Sequence, residues 1–248
     1  MSFRFQEAQL IKDLTEDTIL WLKESDRYTQ RAFETEKDPY NNLERKNLIN
    51  SIDKLFKSND FTPQSVLHIG CSAGFSFTYY LKYFKDAELY GIDPGKKSIR
   101  LAKDKYKDKR VKFNIGNAHD LPYKDKSMDV VFLPMVLQWI PRQKLIQSIA
   151  EIDRVSRGFI ILSEFSPDCP SWSISNHNNK IKIFKQNYSE VFNSFPWWRT
   201  VKNEVFNITE GTDFQRSVTI LKKLPYTKGY KFRDSVLEKN NPSKWKKI

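Results

Sequence analysis

Apolar positions change rhythm near residue 65. Before it they recur at helical spacing. Leu48, Ile49, Ile52, Leu55 and Phe56 form one stripe over 43–57, and residues 7–33 follow a looser version with Leu10, Leu14, Ile19, Leu20 and Trp21. The polar run Asp38-Pro39-Tyr40-Asn41-Asn42 separates the two helices, and Phe61-Thr62-Pro63 ends the second. After it, short apolar runs alternate with longer helical stretches. Strands are expected at Val66–Ile69, Glu88–Ile92, Val111–Ile115, Asp129–Leu133 and Phe159–Leu162, with helices near 75–84, 96–106 and 141–155. Residues 116–128 read as loop. Such alternation builds βαβ units, hence a parallel sheet covered by helices on both faces.

Beyond Glu164 the texture changes again. Residues 165–180 are polar and punctuated by proline, which reads as loop, and a short helix is expected near Tyr188–Phe195. Val201–Thr209 and Phe214–Leu221 alternate apolar and polar residues about Glu210-Gly211-Thr212-Asp213, the pattern of a hairpin. The expected fold class is α/β, a doubly wound, mostly parallel seven-stranded sheet with a terminal antiparallel hairpin. The expected organisation is a helical cap at 1–42, a main domain at 43–224 with an insertion at 165–198, and a basic tail at 225–248.

Composition narrows the class. With 39% hydrophobic and 14% aromatic residues, the 248-residue chain can bury a core, which excludes wholesale disorder. No apolar run approaches the roughly 18 residues of a membrane span. The N-terminus carries charges where a secretory signal needs an apolar stretch. Two cysteines, Cys71 and Cys169, make no disulfide framework, and no Cys/His/Asp group has metal-ligand spacing. A soluble, cytoplasmic, globular protein is expected. Of the net charge of +12, residues 222–248 hold +7. Most of the basicity is therefore a tail, weaker evidence for a polyanion partner than a basic face on a folded domain.

The chemistry concentrates where strands end. Val66-Leu67-His68-Ile69 runs into Gly70-Cys71-Ser72-Ala73-Gly74, a turn of small residues ahead of a helix. Such a turn lets a ligand press against the backbone, or simply packs a helix tightly on a sheet. The second strand ends in Asp93, 19 residues beyond Gly74. In a doubly wound sheet ligands sit beyond the carboxyl ends of neighbouring strands, where an acid can accept hydrogen bonds from both hydroxyls of a ribose. The alternative for Asp93 is a helix N-cap ahead of Pro94. After the third strand, Asn117 offers an amide to the edge of a purine, and Ala118 leaves room for its ring.

These parts, HIGCSAG, YGIDP, GNAHDLP, DVVFLPMVLQWIP and EIDRVSRGFIILSEF, stand in the order and spacing of one family. The chain resembles the class I S-adenosylmethionine-dependent methyltransferases over about 43–165, and to about 221 with the hairpin. The resemblance implies that Gly70, Ser72 and Gly74 line the methionine moiety and Asp93 holds the ribose. Asn117 and Ala118 would flank the adenine, with Asn117 standing where the family usually has Asp. His68, Cys71, Pro94, Pro134 and Gln138 complete the implied cofactor-binding set. The family has Glu or Asp where this chain has His68, and Gly where it has Ser72. Neutral His accepts a hydrogen bond, whereas protonated His repels the cofactor's ammonium.

The acceptor side is less legible. Its candidate catalytic groups are His177, Glu164, Tyr188 and Lys185. The segment from Asn176 to Phe192 resembles methyltransferases associated with bacterial surface-polysaccharide synthesis, which implies a saccharide acceptor. Leu137-Gln138-Trp139-Ile140-Pro141 is similar to carboxyl methyltransferases acting on small acids. The leading expectation is methyl transfer to a hydroxyl or carboxyl of a small molecule, saccharide-related. Two rivals stand beside it: a nucleic-acid methyltransferase using the basic tail, and a cofactor-binding protein without catalysis.

Overall fold

The computed structural model describes Asp26, Thr29 and residues 42–165, 167, 170–174, 181–207 and 215–224. Five helices and nine strands lie in this span. The helices are α1 (Asn42–Ser58), α2 (Phe77–Tyr83), α3 (Lys96–Lys105), α4 (Arg142–Val155) and α5 (Tyr188–Asn193), with a 3-10 turn at Leu137–Trp139. The strands are β1 (Ser65–Ile69), β2 (Glu88–Asp93), β3 (Val111–Ile115), β4 (Met128–Pro134), β5 (Ser156–Phe165), β6 (Ser171–Ile174), β7 (Lys182–Lys185), β8 (Trp198–Asn207) and β9 (Gln215–Lys223).

Seven strands form one sheet in the order β3-β2-β1-β4-β5-β9-β8. Pairs from β3 through β5 are parallel, and β9 joins β5 and β8 antiparallel. This is the expected doubly wound sheet with its terminal hairpin, and the chain order reverses between β1 and β4. Strand parity divides the core. Leu67, Ile69, Val131, Leu133, Ile160 and Leu162 meet α4 and α5 through Ile149, Ile152 and Phe192. Val66, Leu89, Val130, Phe132 and Ile161 meet α1, α2 and α3 through Ile52, Phe56, Phe77, Tyr80 and Ile99. Burial on both faces explains why β1, β4 and β5 read as continuous apolar runs. Among the described residues no helix is long and apolar enough to cross a membrane.

One expectation is corrected. The stretch 165–180 is not all loop, because Ser171–Ile174 pairs antiparallel with Lys182–Lys185 in a separate two-stranded ribbon. Four residues of alternation between prolines and serines carry too little periodicity to announce a strand. The segments 1–25, 30–41 and 225–248, and so most of the cap and the tail, lie outside the described residues.

At the end of the sheet remote from the strand tips, the Asp129 carboxylate accepts from the backbone N–H groups of Gln64 and Ser65 at 2.8 and 3.1 Å. Arg157 reaches it at 2.6 Å. Burial pushes the Asp129 carboxyl up, but Arg157 and the N–H donors outweigh it and hold the pKa low. Asp129→Ala should therefore cost about 2–4 kcal/mol in denaturant unfolding, through donors left unpaired, with cofactor affinity unchanged in the folded fraction.

Candidate cofactor and acceptor site

The turn after β1 begins where Gly70 and Cys71 both donate N–H to the Ile92 carbonyl, at 2.8 and 3.1 Å, which joins the tips of β1 and β2. Gly70 has φ +70°, and a Cβ there would lie 2.5 Å from Val136 Cγ2, so the loop after β4 packs directly on this glycine. Gly74 is also left-handed, at φ +74°. Ser72, standing at a family glycine, keeps φ +50° without being glycine. Two contacts hold it there. Its N–H donates to Asp93 Oδ2 at 2.9 Å, and its Oγ lies 2.7 Å from Thr29 Oγ1.

Asp93 is 5% exposed. Its second oxygen accepts the Gly95 N–H at 2.8 Å. The carboxylate thus ties the glycine turn to the turn entering α3, whose N-cap is Gly95. The alternative of Asp93 as N-cap is set aside, because Pro94 and Gly95 separate it from the helix. Asp26 performs the capping instead: its Oδ1 accepts from the N–H groups of Lys97 at 2.9 Å and Ser98 at 3.3 Å. Thr29 is buried and lies 2.7 Å from Ser98 Oγ, bridging the glycine turn and α3. Asp26, Thr29 and Ser98 escaped the sequence reading. Their contacts span 43 to 72 residues, and an acid and a hydroxyl in a weakly periodic helix give no local signal.

His68 is not in the turn. It is 4% exposed beneath α2, its Nδ1 3.0 Å from the Tyr80 hydroxyl and its ring stacked with Phe77. With Leu67 and Ile69 facing α4, parity sends His68 to the opposite face. The Cys71 side chain is buried too, and burial followed by the Asp93 charge pushes its thiol pKa up, so only its backbone serves the turn. Gly116 donates its N–H to the Asp93 carbonyl at 3.1 Å, bringing half-buried Asn117 and buried Ala118 beside the β2 tip.

On the other side of the switch point, Glu164 at the end of β5 is 2% exposed. Its Oε1 accepts from the N–H groups of Val136 at 2.7 Å and Leu137 at 2.9 Å, which fixes the loop carrying Pro134 and Gln138. Met135, at φ +58°, donates its N–H to the Ser163 carbonyl at 2.8 Å. Burial raises the Glu164 pKa to about 8, against the lowering effect of those N–H groups and Arg216. At neutral pH Glu164 is therefore mostly a neutral acid. Its Oε2 and Gln138 Oε1 are buried without a protein partner.

Tyr188 donates its hydroxyl to the Phe184 carbonyl at 2.8 Å, and burial, then Glu164, raises its pKa. Lys185 sits 5.1 Å from the Phe165 ring, and burial lowers its pKa. The Trp197 and Trp198 indoles both donate to Asp153 at 2.8 Å, which makes them part of the core. His177 and Cys169 lie outside the described residues. The residues present fit a nucleoside with an amino-acid arm. A turn opened at Gly70 and Gly74 adjoins a carboxylate fixed in place by the Ser72 and Gly95 N–H groups.

Two outcomes test this geometry. Gly70→Ala should weaken cofactor binding tenfold or more by calorimetry, since forcing Val136 aside costs about 1–3 kcal/mol. For Glu164, the raised folded pKa means stability is greatest below the ordinary carboxylate range. It should fall by about 1.4 kcal/mol per pH unit as pH rises from about 4.5 to 8. Glu164→Gln should flatten that window in thermal melts against pH.

A family profile described as a methyltransferase domain matches residues 67–162, from β1 to β5. A fatty-acid O-methyltransferase of Mycolicibacterium smegmatis is 28% identical over 131 residues, covering 51% of this chain and 47% of that protein. A phthiotriol/phenolphthiotriol dimycocerosates methyltransferase of Mycobacterium tuberculosis is 24% identical over 171 residues, covering 67% of this chain and 61% of its own. The chain thus spans less than two thirds of the length of these relatives. The structure of Burkholderia thailandensis 1,6-didemethyltoxoflavin-N1-methyltransferase, with its bound substrate and S-adenosylhomocysteine, aligns with a TM-score of 0.63 at 15% identity. The alignment covers 85% of this chain and 92% of that one, a likeness of fold. Residues 67–162 match the profile of a methyltransferase domain, and the chain has the fold of the class I S-adenosylmethionine-dependent methyltransferases.

Proposed function

We propose that this chain transfers a methyl group from S-adenosylmethionine to a carboxyl or hydroxyl oxygen of a small-molecule acceptor. The observation that carries the reading is the Asp93 carboxylate, locked by Ser72 and Gly95 N–H groups at the tip of β2 beside the switch point. Gly70, Ser72 and Gly74, with the Cys71 backbone, would hold the methionine end. Asp93 and Pro94 would hold the ribose, Asn117 and Ala118 the adenine, and Pro134 and Gln138 the sulfonium side. His68 would support the turn from beneath α2.

When bound, the cofactor supplies a methyl on a positively charged sulfur, activated for displacement. The protein's task is alignment and exclusion of water, which contributes about 7–11 kcal/mol in favourable cases. Among the expected acceptor-side groups, Glu164 holds a proton and the post-β4 loop, and Tyr188 holds a backbone carbonyl. Neither is placed as a ready base at neutral pH. A carboxylate acceptor is already ionised and needs no base, whereas a hydroxyl acceptor would call on one of the other candidates, Lys185 or His177. The name of the fatty-acid O-methyltransferase relative supports an acyl acid as that acceptor. The saccharide expectation draws on residues from Asn176, the first part of which lies outside the described segments, and no geometry supports it here.

Radiolabelled methyl transfer to a panel of free acids, alcohols and RNA decides between acceptors. Label is expected in base-labile esters. Label in RNA that vanishes on removal of 225–248 would favour the nucleic-acid reading, and no label in any partner would leave a cofactor-binding protein. Asp93→Ala should weaken S-adenosylhomocysteine binding at least tenfold by calorimetry, at about 1.5–3 kcal/mol for each charged hydrogen bond lost. An unchanged affinity there would remove the ribose assignment.

A further inference from the structure

The β6–β7 ribbon has two unlike faces. Its inner face carries Ile183 and Lys185, both buried, and β7 packs against the 3-10 turn at Leu137–Trp139. Its outer face carries Trp172 paired with Phe184, and Ile174 paired with Lys182. Trp172 is 58% exposed and Ile174 43%, side by side on a strand of four residues. Lys182 Nζ lies 5.0 Å from the Trp172 ring. Arg142, at the start of α4, stands 5.1 Å from the Phe184 ring and donates to Gln186 Oε1 at 2.9 Å, which joins the helix to the ribbon. One turn further along α4, Ile146 is 72% exposed.

An indole and two isoleucines this exposed add little to the core, and large apolar side chains gathered on a surface mark a contact site. The charge around them has one sign. Across 142–150, 171–174 and 181–189 there is no acid, and Arg142 and Lys182 are exposed there with Lys144 half-buried on α4. An indole beside lysine and arginine matches the boundary between lipid headgroups and acyl chains, where the ring is half solvated and the cations meet phosphates. We propose that the outer face of the β6–β7 ribbon, with Arg142 and Ile146, docks this chain on an anionic lipid surface. The ribbon packs on the loop held by Glu164, so the docked face lies beside the site and an acceptor dissolved in the lipid has a short path to it. The docking itself does not depend on methyl transfer.

The test is sedimentation of the full chain with vesicles of phosphatidylcholine alone or mixed with phosphatidylglycerol, at low salt and at about 0.5 M NaCl, where screening is strong. Binding is expected on the mixed vesicles only, with a blue shift of tryptophan emission, and should fall severalfold in high salt. Trp172→Ser with Ile174→Ser leaves every charge in place and should reduce binding at least tenfold and abolish the shift. Arg142→Glu with Lys182→Glu should reduce binding comparably. All four positions carry little of the core, and unchanged circular dichroism confirms folding. The proposal is overturned by no binding to anionic vesicles, or by Trp172→Ser/Ile174→Ser binding like the parent, which would assign attraction to the basic tail. Retention on an acidic carrier protein without vesicle binding would also overturn it and make the face a protein interface.

Discussion

A buried carboxylate organises this site. Asp93 accepts one N–H from the turn after β1 and one from the turn after β2, so two separate chain reversals share a single anionic centre. A charge this deep is tolerable only because N–H donors are aimed at it, and the turns are held in their shapes by the same bonds. Ser72 illustrates the dependence. Its left-handed backbone is unfavourable for a residue with a Cβ, and it persists where the Asp93 carboxylate takes its N–H and Thr29 meets its hydroxyl.

The post-β4 loop rests on a different principle. Glu164 also gives one oxygen to two backbone N–H groups, yet burial wins over those bonds and the group keeps its proton near neutrality. Two acids at strand ends on opposite sides of the β1–β4 switch thus take different roles. One sits among turn amides at the tip of β2, and the other lies behind the post-β4 loop at the end of β5. The loop meets the glycine turn through Val136 against Gly70, so each half of the site sets the wall of the other.

The central fold was legible because two-sided burial leaves a strong mark: β4 and the middle of β5 are continuous apolar runs, while β3 at the sheet edge alternates, and the helices between the strands keep an apolar stripe. The turn after β1 was legible because glycine and a strand-end acid are local signals. What failed to show was non-local or too short. Asp26 and Thr29 act across dozens of residues, β6 is four residues long, and the direction of His68 follows from strand parity rather than from its place in a motif. Glu164 was visible as an acid after an apolar run, but its task as a loop anchor depends on where Val136 and Leu137 fold back to meet it.

The attachment of Glu164 has a consequence for how such a chain diversifies. Its strand is bordered by β9, and Arg216 of β9 hydrogen-bonds Ser163 next door. Substitutions in the antiparallel hairpin therefore act first on the Glu164 side of the site and reach the turn after β1 only through Val136 against Gly70. Change can thus enter from the β9 side of the sheet while Asp93, at the tip of β2, keeps its own N–H donors.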